Sequence, residues 1–243
     1  MQKLPDSRVG ILFAVITLAD MDVILAIETS VPEASVALWM DGDIISQQEF
    51  ASDRNHNSMV FDALEAALSK LNGVKINLVI VGTGPGSYSG TRIGISAGQG
   101  IAIAHGCPAV GLGSFAATQI ARNSKPAIAV GDARRGVYFS SRIAQNGEAM
   151  AVDLHEGGEF VSVIEDLKNE TLFTFDPTES LGLSDELAAK IVRTRPEAHY
   201  HIDVWQALDA ARQEELISTP LSPTYLRAPF TSKAKSGHPL IRR

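Results

Sequence analysis

The stretch Gly82-Thr83-Gly84-Pro85-Gly86-Ser87-Tyr88-Ser89-Gly90-Thr91-Arg92-Ile93-Gly94 constrains the fold of this chain more than any other. It follows the apolar run Leu78 to Val81 and leads into small residues, so a strand, a glycine loop and a helix start meet within it. Glycines at 82, 84, 86 and 90 permit left-handed backbone and close approach to another surface, while Ser87, Ser89 or Thr91 can cap the helix. That is the layout of an anion-binding or backbone-docking loop. It has neither the lysine of a P-loop nor the spacing G-x-G-x-x-G. A glycine-rich turn with no phosphate function accounts for the composition equally well.

Around this loop the pattern predicts an α/β chain. Val23 to Glu28, Ser35 to Met40 and Ile44 to Phe50 read as three short strands, with Asp41-Gly42-Asp43 as a hairpin turn. From Ser58 to Leu71 apolar residues recur at helical spacing, and Asn72-Gly73 supplies a stop. The helix predicted from Thr91 to about His105 carries Gly90, Gly94 and Gly98 four residues apart. Interior glycines each cost about 1 kcal/mol of helix propensity, so the row calls for close backbone packing, on the chain's own sheet or on a partner helix. A second lobe is expected from Ser114, with a helix to Arg122, strands at Ala127–Val130 and Val137–Ile143, and helices at Asp185–Val192 and Val204–Ile217.

Length and composition fit two half-size lobes: 243 residues, 45% hydrophobic. With 21 basic against 28 acidic residues the formal charge is −7, which repels a phosphate backbone and argues against autonomous RNA binding. Cys107, the only cysteine, forms no internal disulfide and fits a reducing cytoplasm as a buried structural thiol. Lys3 and Arg8 precede the apolar run Val9 to Leu18, far short of the roughly 20 residues of a membrane helix. A signal-peptide core has this length, but the first strand begins at Val23, so residues 1–20 read as an N-terminal extension or a misassigned start. Beyond Arg227 come Lys233, Lys235, Arg242 and Arg243 with no acidic residue, which reads as a mobile basic tail.

Catalytic chemistry is sparse. His56 is followed four residues later by Val60, so no pair of imidazoles faces one metal ion, and the remaining histidines form no ligand cluster. In an extended segment His199 and His201 would share a side. No G-x-S-x-G elbow is present. Asp132 with Arg134 and Arg135 reads equally as an ion-pair cluster or as the lining of a nucleotide cleft. No catalytic residue and no metal site are expected.

Four segments in order resemble the bacterial TsaB (YeaZ) family of tRNA threonylcarbamoyl-adenosine synthesis. Gly84-Pro85-Gly86-Ser87-Tyr88-Ser89-Gly90-Thr91-Arg92-Ile93-Gly94 is similar to its G-P-G-S-[FY]-[ST]-G-x-R-x-G element. Val23 to Ser30 with Ala34 to Trp39 resembles its opening hairpin, with Glu28 where Asp is usual. Gly131-Asp132-Ala133-Arg134-Arg135-Gly136-Val137-Tyr138 resembles G-D-A-R-x-x-x-V-Y shortened by one residue, and Pro223-Thr224-Tyr225-Leu226-Arg227 resembles P-x-Y-L-R.

The resemblance implies an actin-like ATPase (ribonuclease H-like) fold of two small lobes, each a mixed sheet with packed helices. Its expected divisions are an extension at 1–20, a first lobe at 21–113, a second at 114–227 and the tail at 228–243. It implies an accessory subunit that docks and activates a TsaD-like catalytic partner through helices of the first lobe, with Gly90, Arg92, Gly94 and Gly98 at the interface. A TsaE-like ATPase is a further partner, the chain self-associates as a homodimer when the partner is absent, and tRNA is met only through the complex. Glu28, Thr29, Ser30, Gly84, Gly86 and Ser87 would line a nucleotide cleft, with ATP or ADP and magnesium at the complex interface as the cofactor. The alternative is an actin-like ATPase or small-molecule phosphotransferase; a protease, as the family's older glycoprotease label implies, lacks both a metal pair and a nucleophile–base pair.

Overall fold

A run of five or six apolar residues with no alternation is buried on both faces and belongs in the middle of a sheet. Val23–Glu28 (β1) and Leu78–Gly82 (β4) are such runs, and every residue of both is buried. They lie parallel, Ile24 opposite Leu78 and Ile27 opposite Val81. Glu33–Met40 (β2) returns antiparallel beside β1, Asp43–Ala51 (β3) forms a largely exposed edge, and Ala109–Leu112 (β5) closes the other side, giving the order β3-β2-β1-β4-β5. The computed structural model describes residues 23–51, 59–123 and 125–226; the extension at 1–20, His56, Arg227 and the tail at 228–243 lie outside the described residues.

The second sheet repeats this plan. Ala127–Asp132 (β6), Val137–Arg142 (β7) and Asp153–Glu156 (β8) form an antiparallel meander, and Thr171–Thr174 (β9) and Ile191–Arg193 (β10) add parallel strands beside β6. The order β10-β9-β6-β7-β8 is that of the first sheet strand for strand. Three of these strands, β8 to β10, were not expected from sequence: they are three or four residues long and carry polar residues, below the length at which periodicity is readable.

Strand alternation gives the first sheet two apolar faces, and each is covered. Val23, Leu25 and Ile27 pack under Met59–Leu68 (α1) and Tyr88–His105 (α2). Ile24 and Ala26 face the other way, and Ile202, Val204, Trp205 and Leu216 cover them. These last belong to Ala198–Ala207 (α6) and Ala210–Ser218 (α7), which follow Gln119–Arg122 (α3), Gly157–Asp166 (α4) and Asp185–Ala188 (α5), so the chain returns to its first sheet after completing the second. Of the stretch 114–227 read from sequence as a second lobe, the two final helices therefore complete the first. Periodicity identifies an apolar helix face without saying which sheet it covers. The single helix expected at Val204–Ile217 is also two, because the Asp209 side chain caps the Arg212 amide at 2.8 Å and restarts the helix there.

The glycine row of α2 faces this chain's own sheet. A β-carbon on Gly90 or Gly94 would collide with Thr29, and one on Gly98 would lie 2.5 Å from Val81 Cγ2. Gly100, on the same helix, has open space where a β-carbon would go. Helix propensity favours alanine at each interior site by about 1 kcal/mol, and overpacking costs about 1–3 kcal/mol. Denaturant unfolding should therefore find Gly100→Ala more stable than wild type by roughly 0.5–1 kcal/mol and Gly98→Ala less stable; equal gains at both positions would contradict the packing.

Candidate functional site

At the C-terminal end of β1 the chain buries a carboxylate completely. Glu28 is 0% exposed, and so is His201 of α6, whose Nε2 lies 2.9 Å from Glu28 Oε2. The amide of Ser30 donates to Glu28 Oε1 at 2.7 Å. Burial by itself would raise the Glu28 pKa. The hydrogen bond and charge attraction from His201, joined by the Ser30 amide and the Ser114 hydroxyl, outweigh it and hold the carboxyl below the usual carboxylate range. Gly82 faces the same carboxylate so closely that a β-carbon would collide with it. Both oxygens of Glu28 thus have partners within the chain, and the carboxylate is closed to solvent.

The residues expected to line a nucleotide cleft do converge, but on one another. Thr29 Oγ1 donates to the Gly90 carbonyl at 2.8 Å, tying the turn after β1 to the first turn of α2. Ser87 donates its amide to the Ser30 carbonyl at 2.6 Å, and its hydroxyl accepts from Gly90 at 3.2 Å as the helix cap. Gly86 gives that carbonyl the space a β-carbon would fill. Gly84, held at φ +87°, donates its amide to Ser114 Oγ at 3.1 Å and accepts the Ser114 amide at 2.9 Å. Thr29, Gly84 and Ser87 thus dock the glycine loop on the chain itself, and with the Glu28 carboxylate engaged by His201 and the Ser30 amide these residues do not fit a magnesium nucleotide held at Glu28. Ser30 Oγ, also buried, has no hydrogen-bond partner.

Beside the loop a cleft of ≈ 170 Å³ opens between the lobes, lined by Thr83, Gly84, Pro85, Phe115, Met150 and Arg212 among others. Its charge is neutralised locally, since Arg212 makes a bidentate pair with Glu148, Nη2 donating to Oε1 at 2.8 Å and Nε to Oε2 at 3.2 Å. The Gly131–Tyr138 segment forms a tight turn in which Asp132 accepts from the Arg134 amide at 2.6 Å and from its guanidinium at 3.1 Å. Arg134, Arg135 and Gly136 all have positive φ there, the backbone consequence of so short a turn.

Other candidates from sequence separate. His199 and His201 are helical rather than extended; His201 is fully buried, and His199 stands 3.6 Å from Glu197. Burial pushes the Cys107 thiol up to about 11, away from nucleophilic character. Besides the pairing of Glu28 with His201, sequence reasoning missed that of Ser140 Oγ with His155 Nε2, 2.8 Å apart on adjacent strands. Glu159 stands 3.7 Å from the other ring nitrogen and is 63% exposed, beyond hydrogen-bond reach, so no relay forms and His155 Nδ1 is left without a hydrogen-bond partner. Among the described residues no three His, Cys, Asp or Glu side chains come together as a metal site, and no helix is long and apolar enough to cross a membrane.

Two mixed sheets of the same strand order with a glycine loop between them define a two-lobed α/β protein of the actin-like (ribonuclease H-like) fold. Comparison with known proteins narrows this. Residues 44–170 match the family of TsaD, tRNA N6-adenosine threonylcarbamoyltransferase. A 94-residue stretch is 37% identical to the tRNA threonylcarbamoyladenosine biosynthesis protein TsaB of Escherichia coli (strain K12), covering 38% of this chain and 40% of that protein. The protein of the same name from Haemophilus influenzae is 25% identical over 238 residues, 88% of this chain and 97% of the relative. The solved structure of YeaZ from Pseudomonas aeruginosa superposes with a TM-score of 0.62 at 22% identity, covering 85% of this chain and 100% of that one. The chain belongs to the TsaB (YeaZ) branch of the TsaD family.

The buried pair sets a pH dependence. With its folded pKa lowered, Glu28 contributes stability fully above its unfolded value near 4.5 and loses it as pH falls through the lower folded value. Replacing His201 by Ala removes the largest influences that oppose burial and leaves only the Ser30 amide and the Ser114 hydroxyl against it, so the carboxyl pKa rises and the contribution is lost. Urea unfolding of His201→Ala should show a loss of about 3–5 kcal/mol at pH 7 that narrows toward pH 4; a loss independent of pH would contradict the pairing.

Proposed function

We propose that this chain is a non-catalytic accessory subunit in the synthesis of threonylcarbamoyl-adenosine in tRNA, docking and activating a TsaD-like catalytic partner. Membership of the TsaB branch supports the pathway. The observation that carries the division of labour is the engagement of Glu28, Thr29 and Ser87 within the chain, which leaves the position of a phosphate site closed. An ATPase or phosphotransferase reading needs a free acidic group in the cleft, and Asp132 is tied to Arg134.

Docking falls to the outer faces of α1 and α2. Gly90, Gly94 and Gly98 are turned inward, whereas Phe61 is 60% and Ile103 82% exposed on the outer faces of neighbouring helices that cover the same side of the sheet. Ser96 and Gly100 keep the α2 face shallow, so a partner helix can approach closely. In the absence of the partner the same surface pairs with a second copy. A TsaE-like ATPase joins the assembly, and ATP or ADP with magnesium binds where subunits meet rather than at Glu28. The setting is the cytoplasm.

A drop-out reconstitution tests this reading. With tRNA, threonine, bicarbonate, ATP, the threonylcarbamoyl-adenylate synthase and the other subunits, modified adenosine should form only when this chain is present, and the chain alone should form none. Equal modification without it would overturn the proposal. In ultracentrifugation of this chain with its partner, Ile103→Asp, a change at an 82% exposed position, should weaken association at least tenfold.

A further inference from the structure

Across the interlobe cleft a helix of the first lobe holds a hairpin of the second. Arg212, in the first turn of α7, takes the Glu148 carboxylate from the connection between β7 and β8, Nη2 donating to Oε1 at 2.8 Å and Nε to Oε2 at 3.2 Å. That connection is a short hairpin, closed by the bridge between Ile143 and Ala149 and by the Ala144 amide on the Glu148 carbonyl at 2.8 Å. Glu148, Ala149 and Met150 line the cleft together with Arg212 and the loop residues Gly84 and Pro85. At ≈ 170 Å³ the cleft falls short of the roughly 300–1,000 Å³ of a small-molecule site.

The pair is built to separate. Parting a fully buried pair such as Glu28 and His201 leaves a charge with no partner and no water. Here each member keeps a second partner on its own lobe. Arg212 Nη1 stands 2.7 Å from Glu215 Oε2 one turn along α7, and Asn146 Nδ2 donates to Glu148 Oε2 at 2.8 Å within the hairpin. The two side chains are also 35% and 19% exposed, so water reaches both as they part.

The closed position carries a cost of its own. Gly147, at φ +85°, brings the hairpin tip directly against the guanidinium of Arg122 at the end of α3. Arg122 Nε and Nη2 are buried without a hydrogen-bond partner, and burial pushes the Arg122 pKa down against the attraction of Asp203. Unpaired donors of a charged group are costly to bury, and lifting the hairpin returns them to water. We infer that the hairpin 143–149 is a lid on the interlobe cleft, held shut by the Glu148–Arg212 clasp and biased toward opening by the unpaired nitrogens of Arg122. Opening the lid enlarges the cleft beside the glycine loop without disturbing the core of either lobe.

Hydrogen exchange and thiol labelling of the full chain test the lid. Glu148→Gln, which keeps the shape and removes the charge, should speed exchange of the hairpin amides of Ala144 and Gly147 about fivefold while β1 and β4 exchange as in wild type. Arg122→Met, which removes the unpaired nitrogens, should slow the same amides. Ala116 lines the cleft and is 1% exposed. In a Cys107→Ser background, Ala116→Cys should react with a maleimide about fivefold faster once Glu148→Gln is added. Salt should speed that labelling when Glu148 is present and leave it unchanged after Glu148→Gln. Hairpin exchange at the wild-type rate in Glu148→Gln would overturn the clasp, and faster exchange along the whole chain would overturn it by showing that the pair only stabilises the fold. Faster hairpin exchange with unchanged labelling at position 116 would overturn the lid, because the hairpin would then fray without opening the cleft. Unchanged or faster exchange in Arg122→Met would overturn the bias toward opening.

Discussion

The first lobe depends on the burial of one carboxylate. Glu28 ends the central strand, and at that position a charged side chain must either reach solvent or find partners inside. Here it finds the imidazole of His201 and the amide of Ser30. That choice determines much else. It draws α6 across the back of the first sheet, so the last helices of the chain complete the lobe with which the chain began. It also fixes the turn at Ser30, whose carbonyl receives the glycine loop. The Glu28 carboxylate becomes an internal tie between segments 173 residues apart in the chain.

The glycine loop follows from the same constraint. Small residues at 82, 86, 90, 94 and 98 let the loop and α2 settle directly on Glu28, Ser30, Thr29 and Val81. The helix gives up propensity along this face and packs closely on the sheet in return. Its opposite face is left with small residues, an exposed isoleucine and, at its start, Arg92 over the Tyr88 ring. The inward side of α2 therefore serves stability and the outward side is free for association. This division explains how one helix can be both a core element and the proposed docking surface.

Much of this was legible in the residues. The runs at β1 and β4, the hairpin at Asp41-Gly42 and the start of α2 carry strong local patterns, and the structure has each, with α2 beginning three residues earlier because Ser87 supplies the cap. The spacing of the glycine row is compatible with two packings, and the structure places the row against the chain's own sheet. What stayed hidden were relations across long separations. His201 lies 173 residues from Glu28, and nothing near either residue announces the other. The duplication of strand order is likewise invisible, because β8, β9 and β10 are too short and too polar to show a period. Tyr225 and Arg92 each stand in a recognisable motif, yet their meeting on the surface is a property of the fold.

The claim on which these relations turn is that the Glu28 carboxyl is engaged within the chain. A carbon-detected nuclear magnetic resonance titration of that carboxyl, with and without magnesium ATP, measures it directly. The account predicts titration below the ordinary value of 4.5, unmoved by the nucleotide. An ordinary or raised pKa that shifts when magnesium ATP is added would contradict it and return Glu28 to the role of a metal-nucleotide residue.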